Sequence, residues 1–354
     1  MTRGLRFYCC DRIPAVHVAW QMAVTFLVVL AVCPLRLSAL RLGVARRATS
    51  EPRLATLVLL PENKYRARCL DGSPPGYYMR AAPGEGVTSW HIHFPGGGWC
   101  ATKRQCGWRA RRLLGGTTRW PPTNNASWAQ GRFGGILSSN EGTNPFFAGW
   151  HLAMPVYCDG GGYAGAAGRV AVGEGRFVYM DGSRIVSAIM DDLLAKRAIV
   201  RATEVLVSGT SAGGLAVMRL CDSLAALLPR ASVKCLLDGS FFPDAPDRTG
   251  RMHFQSLAQQ VSALHQFSPR SRCDQVTPAP ERWRCFFPQY ALPLASSPFF
   301  IVNPAFDRVA LLIERECSVA QGTAAAVYSG ILDIVKTKKG FGAFVPVWLI
   351  AHIT

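Results

Sequence analysis

The stretch Val205-Leu-Val-Ser-Gly-Thr-Ser-Ala-Gly-Gly214 decides the fold, because a short apolar run leads directly into a serine between glycines. Residues 209–213 match Gly-x-Ser-x-Gly, a pattern that in hydrolases lies on a sharp turn between a strand and a helix. Such a turn raises the serine hydroxyl above the edge of a sheet, and the glycines leave room for the tight backbone. The pentapeptide alone also fits a structural bend, so its neighbours must decide between the two interpretations.

The neighbours favour the catalytic interpretation. Residues 204–207 are rich in Val and Leu and predict a buried strand, whereas 215–228 carry apolar residues at helical spacing before Pro229. A helix is also predicted over 183–194, and strands over 89–94, 150–157, 233–237 and 299–302. Strands that alternate with helices imply an α/β fold with a mostly parallel sheet. Residues 99–150 show no clear periodicity and are predicted to be a loop-rich insertion.

In this context Ser211 is a candidate nucleophile. The helix that follows would place positive potential where an oxyanion forms, and the Ala212 N–H would be one donor to it. A second donor is expected from His93-Phe-Pro-Gly-Gly-Gly-Trp99, where three glycines after a strand allow close backbone approach. The alternative for these glycines is a flexible turn.

Candidates for the acid and the base follow from the chain order Ser, Asp or Glu, His of α/β-hydrolases. Asp307 follows the strand predicted at 299–302, and Asp238 follows another strand and competes for the role of acid. Asp307 could instead cap a helix. His352 is the histidine that follows Asp307, which makes it the candidate base, although it lies two residues from the end of the sequence.

Composition excludes several other classes of function. Hydrophobic residues make up 49% and charged residues 17%, as in a globular protein, and the net charge is +17. No nucleic-acid-binding motif accompanies this charge, so an acidic polysaccharide or an anionic membrane is the expected partner, and a solvated basic surface is the alternative. His91 and His93 share one face of a strand, but no third ligand at suitable spacing suggests a metal, and we expect neither metal nor cofactor.

The N-terminus predicts export. Arg3, Arg6 and Arg12 precede the apolar residues 22–33, a length typical of a signal peptide and short for a membrane span. We predict a signal peptide over 1–39, with an uncleaved signal anchor as the alternative, a linker or arm over 40–58, and one domain over 59–354. Nine cysteines follow the signal without a Cys-x-x-Cys pair, which in an exported protein indicates disulfides. Asn125-Ala-Ser127 is a glycosylation sequon.

A set of ordered motifs from about residue 60 onward resembles the pectin acetylesterase family. The motifs are Cys69-Leu-Asp-Gly-Ser-Pro-Pro-Gly-Tyr-Tyr78, Pro95-Gly-Gly-Gly-Trp-Cys100, Gly135-Ile-Leu-Ser-Ser139, Asn144-Pro-Phe-Phe147, Tyr157-Cys-Asp-Gly160, Met190-Asp-Asp-Leu-Leu194, Ser208-Gly-Thr-Ser-Ala-Gly-Gly214, Cys221-Asp222, Asp238-Gly-Ser-Phe-Phe242, Cys285-Phe-Phe-Pro-Gln289 and Asn303-Pro-Ala-Phe-Asp307.

The resemblance implies an α/β-hydrolase-like fold in a single domain, no metal, and a triad of Ser211, Asp307 and His352. Gly97, Gly98 and Ala212 would form the oxyanion hole, and Asp238 becomes a structural or pocket residue. It also suggests the disulfides Cys69–Cys158, Cys100–Cys106, Cys221–Cys235 and Cys273–Cys285, which leaves Cys317 alone. The function it implies is that of a secreted, monomeric carboxylesterase that removes acetyl groups from a cell-wall or extracellular polysaccharide.

Two alternatives accompany this expectation. The family also contains the animal deacylase Notum, so longer acyl esters are a second substrate class. Relatives have a Ser-Cys pair shortly before the histidine and continue past it, whereas this sequence ends at Thr354. A C-terminal segment is therefore expected to be missing, and a catalytically impaired, glycan-binding protein is the alternative from outside the enzyme class.

Overall fold

The computed structural model describes residues 53–60, 66–124, 132–246, 250–304, 331, 333, 334, 336, 337 and 342–344. All of them belong to one compact unit, residues 51–354. Within these ranges, no helix combines the length and the apolar character that crossing a bilayer requires. The predicted signal peptide and the sequon lie outside the described residues.

A single large sheet organises this unit. Its eight strands lie in the order β1-β2-β4-β3-β7-β8-β9-β10, and β5 and β6 form a separate antiparallel pair. The strands are β1 (Thr56–Leu59), β2 (Gly76–Arg80), β3 (Ser89–Phe94), β4 (His151–Pro155), β5 (Gly168–Gly173), β6 (Arg176–Met180), β7 (Glu204–Thr210), β8 (Ser232–Asp238), β9 (Phe299–Val302) and β10 (Gly342–Phe344).

Six described α-helices accompany the sheet. They are α1 (Lys103–Arg109), α2 (Gly182–Lys196), α3 (Ala212–Leu227), α4 (His253–His265), α5 (Arg272–Val276) and α6 (Pro288–Ala291). Thr102 caps α1 by accepting from the Gln105 N–H, and Ser271 with Asp274 forms a capping box on α5. Helix α3 packs against β3, β7 and β8 at the centre of the sheet.

The sheet is mostly parallel, as the alternation of strands and helices predicts. Neighbouring strands from β4 to β10 run parallel, whereas β1 pairs with β2 and β2 with β4 in antiparallel fashion. Strands β3 and β7 are buried along nearly their whole length, although β3 carries His91 and His93 between its apolar residues. Because parallel strands end at the same edge, the carboxyl ends of β3, β7, β8 and β9 lie side by side, and ligands of open α/β sheets bind at that edge.

Secondary structure occurs in two stretches that were predicted to lack it. Thr56, Leu57 and Val58 lie in the range predicted to be an arm, yet they pair with β2 as part of β1. This edge strand is only partly buried, so it lacks the apolar alternation that would have identified it. The insertion at 99–150 contains α1, whose seven residues are too short to produce a clear helical period.

The four disulfides that the resemblance suggested are present: Cys69–Cys158, Cys100–Cys106, Cys221–Cys235 and Cys273–Cys285. The bridge between Cys100 and Cys106 joins the glycine-rich loop after β3 to α1, and the bridge between Cys221 and Cys235 joins α3 to β8. Cys317 lies outside the described residues.

Candidate active site

Ser211 is the single residue between the end of β7 at Thr210 and the start of α3 at Ala212. It has φ of 55° and ψ of −124°, which is a rare conformation for a residue with a side chain. Its N–H donates to the Asp238 carbonyl at 2.9 Å, and its carbonyl accepts from the Gly214 N–H at 2.9 Å. The side chain is half-buried, so the turn presents the hydroxyl at the carboxyl edge of the sheet. This is the conformation and position that a nucleophile elbow requires.

The glycines around Ser211 are required by close backbone approach. A Cβ on Gly213 would lie 1.9 Å from the Phe94 carbonyl oxygen, and one on Gly209 would lie 2.4 Å from the Gly213 carbonyl oxygen. A Cβ on Gly96 would lie 2.8 Å from the Ser211 Cβ. The elbow therefore packs directly against the end of β3, and any side chain at these positions would force the two apart.

The glycine-rich loop, residues 95–100, lies beside the elbow. Gly97 and Gly98 have positive φ values of 149° and 62°, which favour glycine. A Cβ on Gly98 would meet no atom within 4 Å, whereas Gly97 faces Leu114 and Tyr157. Among the described residues, the N–H groups of Gly97, Gly98 and Trp99 donate to no protein acceptor. Ala212, which is buried, is the first residue of α3 and follows Ser211 directly. Backbone N–H groups of the loop and of the helix N-terminus are therefore available as donors next to Ser211.

Asp238, the competing candidate for the acid, is the last residue of β8 and contacts the turn at Ser211. Besides accepting from the Ser211 N–H, its carbonyl accepts from the Ser240 hydroxyl at 2.7 Å, and its carboxylate accepts from the Thr210 hydroxyl at 3.4 Å. Asn303, just after β9, accepts from the Phe241 N–H at 2.9 Å and fixes the neighbouring strand end. Asp307 and His352 lie outside the described residues, and their roles stay predictions.

His91 and His93 point to the same side of β3, as their spacing predicts. Both rings contact one buried hydroxyl, with 2.6 Å from His91 Nε2 to Ser208 Oγ and 2.8 Å from His93 Nδ1 to the same atom. A hydroxyl donates one bond, so one ring accepts from Ser208 and the other donates to it. Burial lowers the pKa of His93 to about 4 and that of His91 well below its usual value. The pair is a neutral core network.

A group of buried polar residues beneath the glycine-rich loop was not identified from the sequence. Arg109, Tyr157, Asp159, Tyr163 and His265 are all buried. Asp159 accepts from the Gly161 N–H at 3.0 Å and the Tyr163 N–H at 3.1 Å, yet burial raises its pKa to about 6. The signal was present as Tyr157-Cys-Asp-Gly160, but polar residues after a strand do not reveal which backbone they will contact.

Two cysteines and a histidine lie close enough together for a metal site, but they do not offer the ligand groups that a metal ion binds. The ligand atoms of Cys100, Cys106 and His265 lie within 4.8 Å of one another. The two sulfurs are joined in a disulfide, and metal ions bind thiolates instead. The Nε2 of His265 contacts the Cys100 carbonyl at 2.9 Å, and burial lowers the pKa of this histidine to about 4. The cluster is therefore a packed disulfide and a neutral imidazole.

Four aromatic side chains pack together around Trp99, which belongs to the glycine-rich loop. The Trp99 ring packs on Phe286 at 4.9 Å and on Phe242 at 5.4 Å between centroids, and Phe242 packs on Phe254 at 5.2 Å. Two cavities lie elsewhere: one of about 420 Å³ beside α5 and α6, and one of about 350 Å³ at the amino ends of β3 and β4.

Comparison with known proteins supports the resemblance. The pectinacetylesterase family model matches residues 48–330. Pectin acetylesterase 7 of Arabidopsis thaliana is 38% identical over 242 residues, which cover 68% of this chain and 59% of that protein. Pectin acetylesterase 11 of the same plant is 36% identical over the same shares. Palmitoleoyl-protein carboxylesterase notum1′ of Xenopus laevis is 28% identical over 77% of this chain and 55% of its own. The chain thus spans less than two thirds of the length of these relatives.

Proposed function

Because this chain belongs to the pectinacetylesterase family, we propose that it is a serine carboxylesterase with Ser211 as its nucleophile. The observation that carries the proposal is the backbone of Ser211, which has φ of 55° between a buried parallel strand and a helix. Strained conformations of this kind concentrate at functional sites. Free backbone N–H groups next to the hydroxyl add the second element of an acyl-transfer site.

The proposed reaction proceeds through an acyl-enzyme. His352 removes the proton from Ser211 Oγ as the oxygen attacks the ester carbonyl, and Asp307 orients the imidazole. The N–H groups of Gly97, Gly98 and Ala212 stabilise the tetrahedral oxyanion, and the alcohol leaves with the proton from His352. Water, deprotonated by the same histidine, then attacks the acyl group, and its proton passes to Ser211 as the acid departs.

The proposed substrate is an acetyl ester on an acidic polysaccharide of the cell wall or extracellular space. The two Arabidopsis relatives bear the name pectin acetylesterase, and a net charge of +17 suits a polyanionic chain. Four disulfides agree with an oxidising compartment and hence with secretion.

Hydrolysis of p-nitrophenyl acetate tests the reaction. Ser211→Ala is expected to reduce kcat at least about 1,000-fold, since residual catalysis comes from the remaining site. Ser208→Ala is the matched control, because Ser208 lies three residues earlier, is fully buried, and its hydroxyl hydrogen-bonds to the histidine pair and not to the substrate side. A folded wild-type chain without activity, or equal activity of both variants, would contradict the proposal.

The length of the acyl group tests the substrate. We expect kcat/KM on p-nitrophenyl esters to fall from acetate to octanoate, and acetate to be released from acetylated polygalacturonate. A rise with chain length would instead favour the reaction named for the Xenopus relative, whose substrate is a palmitoleoylated protein.

A further inference from the structure

We infer that Arg109 and Tyr157 are positioning residues for the proposed reaction: they bind two consecutive carbonyl groups of the glycine-rich loop and thereby aim the following N–H groups at the oxyanion. This inference rests on the proposed function. We call the pair the carbonyl clamp.

The clamp contacts the backbone of the loop, not its side chains. Arg109 Nη1 donates to the Gly97 carbonyl at 2.8 Å, and the Tyr157 hydroxyl donates to the Gly98 carbonyl at 2.6 Å. The two side chains also contact each other, with the guanidinium carbon 5.0 Å from the centre of the Tyr157 ring. A buried guanidinium is costly to desolvate, and Arg109 is only 9% exposed. Its use on a backbone carbonyl therefore indicates that the orientation of this peptide matters.

Peptide geometry connects the clamp to the oxyanion. In a planar trans peptide the carbonyl of one residue and the N–H of the next point in opposite directions. When Gly97 and Gly98 turn their carbonyls toward Arg109 and Tyr157, the N–H groups of Gly98 and Trp99 must point away from the clamp. These N–H groups have no acceptor among the described residues. The clamp therefore adds the Trp99 N–H, which Tyr157 orients, to the Gly98 N–H as an oxyanion donor, and it does not act on the Gly97 N–H. Ser211 adjoins the loop at Gly96, where an added Cβ would lie 2.8 Å from the Ser211 Cβ.

The ends of the loop are fixed independently. At the amino end, Phe94 pairs with Gly209 in the sheet and the Pro95 carbonyl accepts from the Tyr163 hydroxyl at 3.4 Å. At the carboxyl end, the Cys100 N–H donates to the Gly160 carbonyl at 3.0 Å, and the Cys100 carbonyl contacts His265 Nε2 at 2.9 Å. Arg109 is fixed as well, because its Nε donates to the Leu114 carbonyl at 3.3 Å. The two glycines with positive φ lie between these anchors, and glycine peptides rotate easily. Without the clamp, the middle of the loop would lose its orientation while its ends stayed in place.

Tyr157→Phe tests the inference, since it removes one hydroxyl and keeps the ring. We expect kcat on p-nitrophenyl acetate to fall about 10- to 100-fold with KM changed less than about threefold, because the oxyanion donor is misaligned and not removed. Tyr78→Phe is the matched control: its hydroxyl donates to the Pro121 carbonyl at the same 2.6 Å, on β2 and away from Ser211. Arg109→Lys keeps the charge, but a single ammonium group cannot replace the two bonds that Arg109 donates to the Gly97 and Leu114 carbonyls. We expect this variant to behave like Tyr157→Phe.

A thionoester substrate separates positioning from general damage, because a thiocarbonyl sulfur accepts hydrogen bonds weakly. The ratio of kcat for the acetate to kcat for the thionoacetate should fall about tenfold in Tyr157→Phe and stay unchanged in Tyr78→Phe. Equal ratios and equal kcat in the two folded variants would overturn the inference and leave the proposed function intact. A wild-type chain with no activity that depends on Ser211 would overturn both.

Discussion

Ser211 keeps a backbone conformation that costs about 1–3 kcal/mol for a residue with a side chain. It persists because its N–H and carbonyl groups are both bound, to Asp238 and Gly214, while α3 begins at the next residue. Packing in the rest of the molecule offsets the free-energy cost of this conformation, and the conformation places the Ser211 hydroxyl above the edge of the sheet.

Ser211→Gly should therefore be more stable than Ser211→Ala by about 1 kcal/mol, because glycine adopts positive φ without strain. Urea denaturation of the two variants measures the difference directly. An alanine variant as stable as the glycine variant would show that the turn is not strained.

Gly213→Ala should destabilise the protein by about 2–3 kcal/mol and reduce activity, since the new methyl group would collide with the Phe94 carbonyl. Gly84→Ala is the control, because the nearest atom to its added Cβ is a Val87 methyl at 3.7 Å. Similar midpoints for the two variants in urea would contradict the close approach of α3 and β3.

The elements predicted from apolar or β-rich content and from helical spacing are α2, α3, β3, β4, β7, β8 and β9. The strand predicted at 89–94 is β3, and the one predicted at 299–302 is β9. The β5–β6 pair was missed because its outer face is exposed and carries Arg169 and Phe177. The carbonyl clamp could not be predicted from the sequence, because its acceptors are backbone carbonyls, which every residue carries.

The disulfides should differ in their effects according to the loops they close. Cys69–Cys158 spans 89 residues and Cys100–Cys106 spans 6. In the chain-entropy description, removal of the longer bridge by paired Cys→Ser changes costs about 2 kcal/mol more in the free energy of unfolding. Loss of the shorter bridge should reduce kcat more strongly, because it anchors the glycine-rich loop. Guanidinium unfolding and esterase assays on both variants test this, and the opposite order in stability would contradict it.

For the whole molecule, buried neutral histidines should make the fold sensitive to acid. The pKa values of His93 and His265 are lowered to about 4, so the unfolded chain binds more protons between that pH and about 6.5. Each histidine then contributes stability that is present above pH 6.5 and is lost as the pH falls through 4, up to about 3 kcal/mol. Urea unfolding between pH 7 and pH 4 measures the loss.

Asp159 should act in the opposite direction. Burial raises its pKa to about 6, so the folded state binds the extra proton and gains stability as the pH falls from 6 toward 4. Asp159→Asn removes this contribution, and its stability should decline more steeply than that of the wild type over the same range. Parallel curves would show that burial does not raise the pKa of Asp159.

The sequence predicted a mostly parallel α/β sheet and the strand–turn–helix context of Ser211, since strands alternate with helices along the chain and Gly-x-Ser-x-Gly is a local motif. It could not predict which groups hold the site in shape. Asp238, the competitor for the acid, binds the Ser211 N–H through its backbone carbonyl, a contact that no residue type encodes. Asp307 and His352 remain predictions from motif order.

Covalent trapping tests the central claim most directly. The wild-type chain is treated with a fluorophosphonate, digested and analysed by mass spectrometry, with Ser211→Ala as the control. The account predicts one adduct per chain, on Ser211, which is lost in the control and is prevented by prior denaturation. An adduct on another serine, or no adduct on a folded chain that hydrolyses esters, would show that Ser211 is not the nucleophile.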